Sequence, residues 1–315
     1  MSQSASPAYP LLWTMLRPVN SDCEELRRSL AKLSEEDASF TVDDEDIDGQ
    51  VVIRAMSETQ LENICEHLAR KHNVYVESEA PKIIYLETIR TPSAAEGKFI
   101  GQSSGRGYYA HVVIRIEPNP AKGYELVNET SEGAIPGKYI QSIDQGIRYA
   151  LKSGIASQEM TDIRVVLCDG SYHEDDSNEA AFESAGFMAM EQAVRQSNVV
   201  LLEPVISLQV VVPQRLTESV VADLRSRRAE ITGIESDADK NMIHAIVRLA
   251  EIIGYADELR SITEETGAYS ADLLRYRRVH DLPSGGDDRI GVTANRPWKP
   301  KPKSGAAAVE PPSPE

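Results

Sequence analysis

The 315-residue sequence predicts an α+β protein in which two βαββαβ units flank a third α+β unit of different order. Short runs that alternate apolar and polar residues, the period of a strand with one buried face, interchange with apolar residues spaced three and four apart, the period of a helix. Capping signatures mark several of the helix starts. The same order of segments occurs twice, near residues 10–80 and 201–279, with no repeat of residue identity.

In the first segment Leu11–Leu16 is a short apolar strand. Ser21 with Glu24 forms a capping-box signature, each side chain able to satisfy a free N–H of a helix start. Leu26, Leu30 and Leu33 then repeat at helical spacing. Phe40–Asp43 and Val51–Ala55 are extended, separated by an acidic turn that ends at Gly49. Ser57 with Gln60 opens a second helix with Leu61, Ile64, Cys65 and Leu68 on one face. Val74–Val76 closes the unit, and Ala80-Pro81 is a natural break.

The middle segment begins with extended runs at Lys82–Thr88 and Gly97–Gln102, followed by a Gly/Ser-rich loop, SSGRGYYAH. Val112, Ile114 and Ile116 alternate with Val113, Arg115 and Glu117 as a half-buried strand. Ile140, Ile143 and Ile147 mark a helix ending at Gly154, and Ile163, Val165 and Leu167 alternate as another strand. After the loop DGSYHEDD, Asp176 or Ser177 caps a helix bearing Phe182, Ala185, Ala189 and Val194.

In the third segment Ile206, Leu208, Val210 and Val212 form a strand, and Val220, Val221 and Leu224 sit on a helix. Ile231–Ile234 is extended, Ile243–Leu249 alternates, a helix runs through Tyr255, Leu259 and Ile262, and Tyr269–Val279 is the last strand. The shared order predicts two ferredoxin-like domains, at residues 10–80 and 201–279, around a domain at 81–200. Residues 1–9 form a leader. From about Asp281 the composition turns to Pro, Gly, Ser and Ala, and residues 280–315 read as a disordered tail containing RPWKPKPK, Arg296–Lys303.

Hydrophobic residues make up 41% of the chain and aromatics 6%, so the cores should be small, aliphatic and one to a domain. Fifty acids against 33 bases give a net charge of −17, which argues against DNA or membrane as a generic partner. RNA contact through a local basic patch stays open, because screening confines charge effects to about 8–10 Å. Cys23, Cys65 and Cys168 are odd in number and far apart, against a disulfide framework or structural zinc. No signal-peptide pattern or membrane-spanning run occurs, so the default expectation is cytoplasmic.

A phosphate-binding loop needs G-x-x-x-x-G-K-[ST], and neither Gly-Lys pair has it. Gly97-Lys98 has Pro92 at the first position and Phe99 at the last, and Gly137-Lys138 has Glu132 and Tyr139. The run Gly105-Arg106-Gly107-Tyr108-Tyr109-Ala110 imitates a dinucleotide fingerprint, but a strand pattern follows where that motif needs a helix. Two readings of it remain: a plain inter-strand loop, or one suited to phosphate contact and base stacking through Arg106, Tyr108, Tyr109 and His111. Asp169–Asp176 lacks calcium-loop spacing and reads better as a solvated acidic loop than as a metal site. No G-x-S-x-G elbow supports a hydrolase, so no catalytic, cofactor-binding or metal-binding residue is assigned. Arg225, Arg227 and Arg228 form a basic cluster, either a solvated helix end or a phosphate contact.

Several long blocks together resemble bacterial translation elongation factor G over roughly residues 10–279. Glu96–Pro118 (EGKFIGQSSGRGYYAHVVIRIEP) and Asp169–Met190 look like two signatures of its domain IV. Leu201–Pro213, Ala222–Glu235 and Leu249–Ser261 look like domain V, and Ser34–Phe40, Met56–Val76 and Pro81–Ile89 resemble domain III and its exit. The resemblance implies ferredoxin-like domains III and V around a domain IV related to ribosomal-protein S5-type folds. It also implies a ribosome partner: a tRNA-mimicking domain IV entering the small-subunit decoding site, and domain V facing the large-subunit factor site. The tip segments correspond to Ser103, Ser104, Gly105, Arg106, Gly107, Tyr108, Tyr109 and His111, and to Asp169–Asp175 with Ser171, Tyr172 and, at the prominent position, His173.

The family's Gly-Glu-Leu-His near the GTPase switches is Ser57-Glu58-Thr59-Gln60 here, and a Gly/Arg-rich turn of domain V is Glu264-Glu265-Thr266-Gly267. The expectation is a translation factor without its own GTPase: the C-terminal half of a split factor working with a separately encoded GTPase half, or a solitary paralogue. A gene fragment would look the same. The rival reading is a non-ribosomal adaptor that uses RPWKPKPK as a linear ligand.

Overall fold

The computed structural model describes residues 10–279 except 48, 104–105, 154–157 and 238. The chain folds into three sheets with helices on one face of each, an α+β architecture. The first unit runs β1 (Leu12–Pro18), α1 (Cys23–Glu36), β2 (Thr41–Ile47), β3 (Gln50–Ala55), α2 (Glu58–His72) and β4 (Val76–Ser78). Its sheet order is β2-β3-β1-β4, with the short β5 (Lys82–Ile83) pairing β1.

Helix α1 starts one residue later than the capping box predicts. Asp22, not Ser21, accepts the Glu25 N–H at 2.8 Å, because two adjacent residues could both cap and the carboxylate took the role. Helix α2 starts where expected. Ser57 Oγ accepts from the Gln60 N–H at 3.2 Å, and Gln60 returns its amide oxygen to the Met56 N–H at 2.8 Å.

The middle unit holds β7 (Ser93–Ser103), β8 (Arg106–Pro118), β9 (Glu125–Asn128), α3 (Ile140–Ser153), β10 (Ile163–Ser171) and α4 (Glu179–Gln196), after β6 (Leu86–Ile89). Its sheet order is β7-β8-β10-β9, and β9 runs parallel to β10. The alternation does not announce β9, which is four residues long and gains its partner only across the sheet. Gly154, the expected end of α3, lies outside the described residues. The cap of α4 is Asn178, whose side chain accepts from Ala181 N–H at 2.9 Å, and not Asp176 or Ser177, which the preceding loop uses.

The third unit runs β11 (Val199–Pro213), α5 (Thr217–Ser226), β12 (Glu230–Asp237), β13 (Lys240–Arg248), α6 (Leu249–Ile252), α7 (Tyr255–Ile262) and β14 (Ala268–Arg278). Its order, β12-β13-β11-β14, repeats that of the first unit. Strand β6 joins this sheet by pairing with the first residues of β11, so the chain enters the middle unit from beside the start of the third.

Burial produces two apolar clusters and not one per unit. The middle unit's core is separate, built around Val112, Ile114, Ile143, Phe182 and Ala185. The cores of the first and third units form one continuous cluster, from Leu16, Leu30 and Leu68 through to Leu208, Ile243 and Tyr255. Packing between units is non-local, and the strand and helix periods that define each unit carry no information about it.

Candidate nucleic-acid interface

The Gly/Ser-rich run is not an open loop. Strands β7 and β8 pair from Ser93↔Ile116 out to Ser103↔Arg106, leaving only 104 and 105 between them. Ser104 and Gly105 lie outside the described residues, and Ser103 and Arg106 are described by backbone alone. Residues 106–111 are therefore strand, and the side chains of 108–111 alternate between the two faces. Tyr108 turns to the helix side, where it lines a hollow of about 240 Å³ with Phe99, Gly101, Gln102, Ala180, Ala181 and Ser184.

Tyr109 and His111 turn to the open face. There Tyr109 Oη lies 2.8 Å from Ser171 Oγ, His111 Nδ1 lies 3.3 Å from the same oxygen, and His111 Nε2 lies 3.1 Å from Glu96. The Lys98 ammonium sits 5.9 Å from the Tyr109 ring centroid. Ser171 reaches this position through an irregularity in β10: the register to β8 shifts between Leu167 and Asp169 and re-aims Asp169–Ser171.

Beyond Ser171 the turn that follows is held to the first segment at Tyr109. The Tyr109 N–H donates to the Asp176 carbonyl at 2.9 Å, and Ser177 Oγ donates to the Tyr109 carbonyl at 2.6 Å. Within the loop the His173 N–H donates to Ser177 Oγ at 2.9 Å and the Ser177 N–H to the His173 carbonyl at 3.0 Å. From this closed turn His173 points outward, its ring 57% exposed, with Nδ1 3.3 Å from the Asp176 carboxylate. Tyr172 is exposed beside it.

Gly107 is what lets the two segments meet. A Cβ there would lie 2.6 Å from Asp176 Oδ1. Gly107→Ala is expected to displace the Asp176 carboxylate and release His173 from its partner while the middle unit stays folded. A change in the His173 ring nitrogen shifts, seen by NMR, checks this, and unchanged shifts would count against it.

The basic cluster of the third unit divides. Arg227 faces inward: Nε is 2.8 Å from Asp223, a terminal nitrogen donates to the Glu251 carbonyl at 3.1 Å, and the guanidinium lies 5.1 Å from the Tyr255 ring centroid. Arg225 is exposed, and Arg228 is exposed with Glu251 at 3.6 Å. These residues belong to a different unit from the hairpin tip. Reading 103–111 as a loop hid Lys98 and Glu96. Hairpin register would have found them, since it places Lys98 opposite His111 and Glu96 opposite Val113. Among the described residues no cluster of three or more metal-ligating side chains occurs, and no helix is long and apolar enough to cross a membrane.

Three family models match, covering most of the described chain. Residues 14–80 match elongation factor G, domain III, residues 81–198 match elongation factor G, domain IV, and residues 200–284 match the elongation factor G C-terminus. None of the matched families is a GTPase domain. A crystal structure of a Thermus thermophilus protein superimposes with a TM-score of 0.71 at 33% identity over 88% of this chain. The chain spans 42% of the length of that protein. The matched domains correspond to the three sheets, ferredoxin-like in III and V and S5-like in IV. The chain belongs to the elongation factor G family and carries its domains III, IV and V.

Proposed function

We propose that this protein binds the ribosome through the tip of domain IV, entering the decoding site of the small subunit by shape and local contacts, with no GTP hydrolysis of its own. Any GTP dependence comes from a GTPase domain outside these residues. The observation that supports this most is the pinning of the two tip segments on Tyr109, which holds the turn bearing Tyr172 and His173 against the β7–β8 hairpin. A turn held in this way loses less conformational freedom on binding than a free loop would. Its groups suit RNA: imidazole N–H and tyrosine hydroxyl donors for phosphate and 2′-OH, and Arg106 for phosphate.

Ser103, Ser104, Gly105, Gly107, Tyr108, Tyr109, His111 and Ser171 build and support this tip in the proposal. Arg225 and Arg228 are the exposed bases of domain V suited to large-subunit RNA, with Arg227 bracing the helix end beneath them. The split factor and the solitary paralogue differ in whether a GTPase half must be present.

Co-sedimentation of the purified protein with ribosomes over a salt series tests the reading. Saturable binding that falls by about tenfold or more in Arg106→Ala/His173→Ala is expected, with a shallower salt slope once a phosphate contact is lost. Binding that appears only with an added GTPase half assigns the split role. No saturable binding in either condition would overturn the ribosomal reading and favour a non-ribosomal partner for RPWKPKPK.

A further inference from the structure

We propose that RPWKPKPK, Arg296–Lys303, folds back onto domain IV of its own chain and seats Trp298 in the hollow between the β7–β8 hairpin and the first turns of α4. The hollow holds about 240 Å³. An engineered cavity of about 150 Å³ binds benzene, so there is room for an indole. Phe99 and Tyr108, both half-buried, line it from the hairpin. Ala180, Ala181 and Ser184 line it from α4 with side chains too short to fill it. Gly101 keeps the hairpin wall low. A Cβ there would rest 3.5 Å from the Phe99 ring and 3.8 Å from Tyr108 Cβ, and a longer side chain would occupy the space.

The chemistry of the walls selects this occupant. Aromatic-lined grooves take Pro-rich segments, which are already extended and so lose little freedom on binding. Pro297-Trp298-Lys299-Pro300 has the P-x-x-P spacing of such ligands. Their backbone carbonyls are free to accept, and the Tyr108 hydroxyl and the exposed Gln102 amide are donors at the rim. Charge agrees. The segment carries Arg296, Lys299, Lys301 and Lys303 and no acid. Glu179 and Glu183 are exposed one turn apart on α4, beside Ala180 and Ser184, and neither pairs with a base among the described residues. Exposed Glu174 and Asp175 add to the same end. The larger hollow between α1 and α2, about 390 Å³, lacks these features. Its phenyl ring, Phe40, is 3% exposed, and its acids are engaged, Glu36 by Lys71 and Asp37 by Ser39.

The segment is long enough to arrive there. Arg278, where β14 ends, and Leu86 both pair with Leu202, from opposite sides, and so stand about 10 Å apart. From Leu86 the chain takes fifteen residues to reach Gly101, a span of at most about 54 Å. Twenty residues separate Arg278 from Trp298, enough for up to about 72 Å. The tether makes the contact intramolecular, so a modest affinity suffices to keep the hollow filled. A docked tail covers the helix side of the tip and, on the ribosomal reading, holds that side from RNA until it lifts.

Trp13 and Trp298 are the two tryptophans of the chain, so Trp13→Phe leaves Trp298 as the sole indole of an otherwise full chain. Acrylamide quenching of its fluorescence reads its exposure without a ribosome, and the outcome does not depend on the functional proposal. Quenching about twofold or more weaker than in the free RPWKPKPK peptide is expected, the same at every protein concentration and rising with salt. Gly101→Val fills the hollow, and Glu179→Lys/Glu183→Lys reverses the charge beside it without touching the core. Each should raise quenching to the peptide's level, with hydrogen exchange of β8 and β10 confirming that domain IV is folded. Quenching in the Trp13→Phe chain equal to the peptide's would overturn the docking. So would protection that survives both changes, which puts Trp298 in another site. Protection that grows with protein concentration would overturn it too, since the occupant would be the tail of a second copy.

Discussion

Gly97→Ala is expected to destabilise domain IV by about 3 kcal/mol, the upper end of what overpacking a core usually costs. Gly97 lies on β7 opposite Val112, on the face that α4 covers. A Cβ there would sit 2.0 Å from the Ala185 carbonyl oxygen and 2.5 Å from the Ala189 nitrogen. Both are backbone atoms of a helix whose small residues, Ala181, Ala185, Gly186, Ala189 and Ala193, are all buried. No flexible side chain can yield, so the helix must lift from the sheet as a body and open the contacts of Phe182 and Met190 with it. Native-state hydrogen exchange of β8 and β10 measures the loss domain by domain, which a three-domain unfolding curve would blur. Gly101→Ala, four residues further along β7 on the same face, meets only side-chain atoms at 3.5–3.8 Å and should change stability by less than about 0.5 kcal/mol. Equal effects at the two positions would contradict the close helix–sheet approach.

Glu203→Ala should cost domain V about 3 kcal/mol. Glu203 lies on β11, where the strand passes from pairing β6 to pairing β13 and β14, and its side chain is 5% exposed. Arg277 of β14 donates to it at 3.2 Å and Arg248 of β13 stands at 3.7 Å. Removing the carboxylate leaves two guanidinium groups facing one another in a site with little water, and the destabilisation comes from their unpaired charge. Arg248 keeps a second partner in Glu251, and Arg277 is a third exposed, so the effect falls at the lower end for a broken buried pair. Native-state hydrogen exchange of β11 and β13 in Glu203→Ala beside Glu203→Ala/Arg277→Ala checks the cause: the double variant should recover part of the loss. A single variant within about 0.5 kcal/mol of wild type would show that the cluster is solvated.

Much of this fold was legible because its elements carry local signals. The alternation in Val112–Glu117 and Ile206–Val212, the Ser57–Gln60 cap and the leucine spacing of α1 all reappear in the structure. What failed was non-local. Strand β9 exists because β10 accepts it, and the shared core of domains III and V arises from packing between units. The tip shows the same division. Its composition reads as a loop, yet cross-strand pairing makes 106–111 a strand and sends Tyr108 and Tyr109 to opposite faces. Residue types alone could nominate His173 and Tyr109. Only the register brings in Lys98, and only the structure shows Asp176 and Ser177 joining the hairpin to the second loop.

Chemical footprinting of small-subunit ribosomal RNA with and without this protein bears most directly on the central claim, that domain IV places its tip in the decoding site. The account predicts protection of decoding-site nucleotides that disappears with His173→Ala/Arg106→Ala, while any protection of large-subunit RNA by domain V remains. Protection confined to other regions, or decoding-site protection unchanged in the double variant, would contradict it.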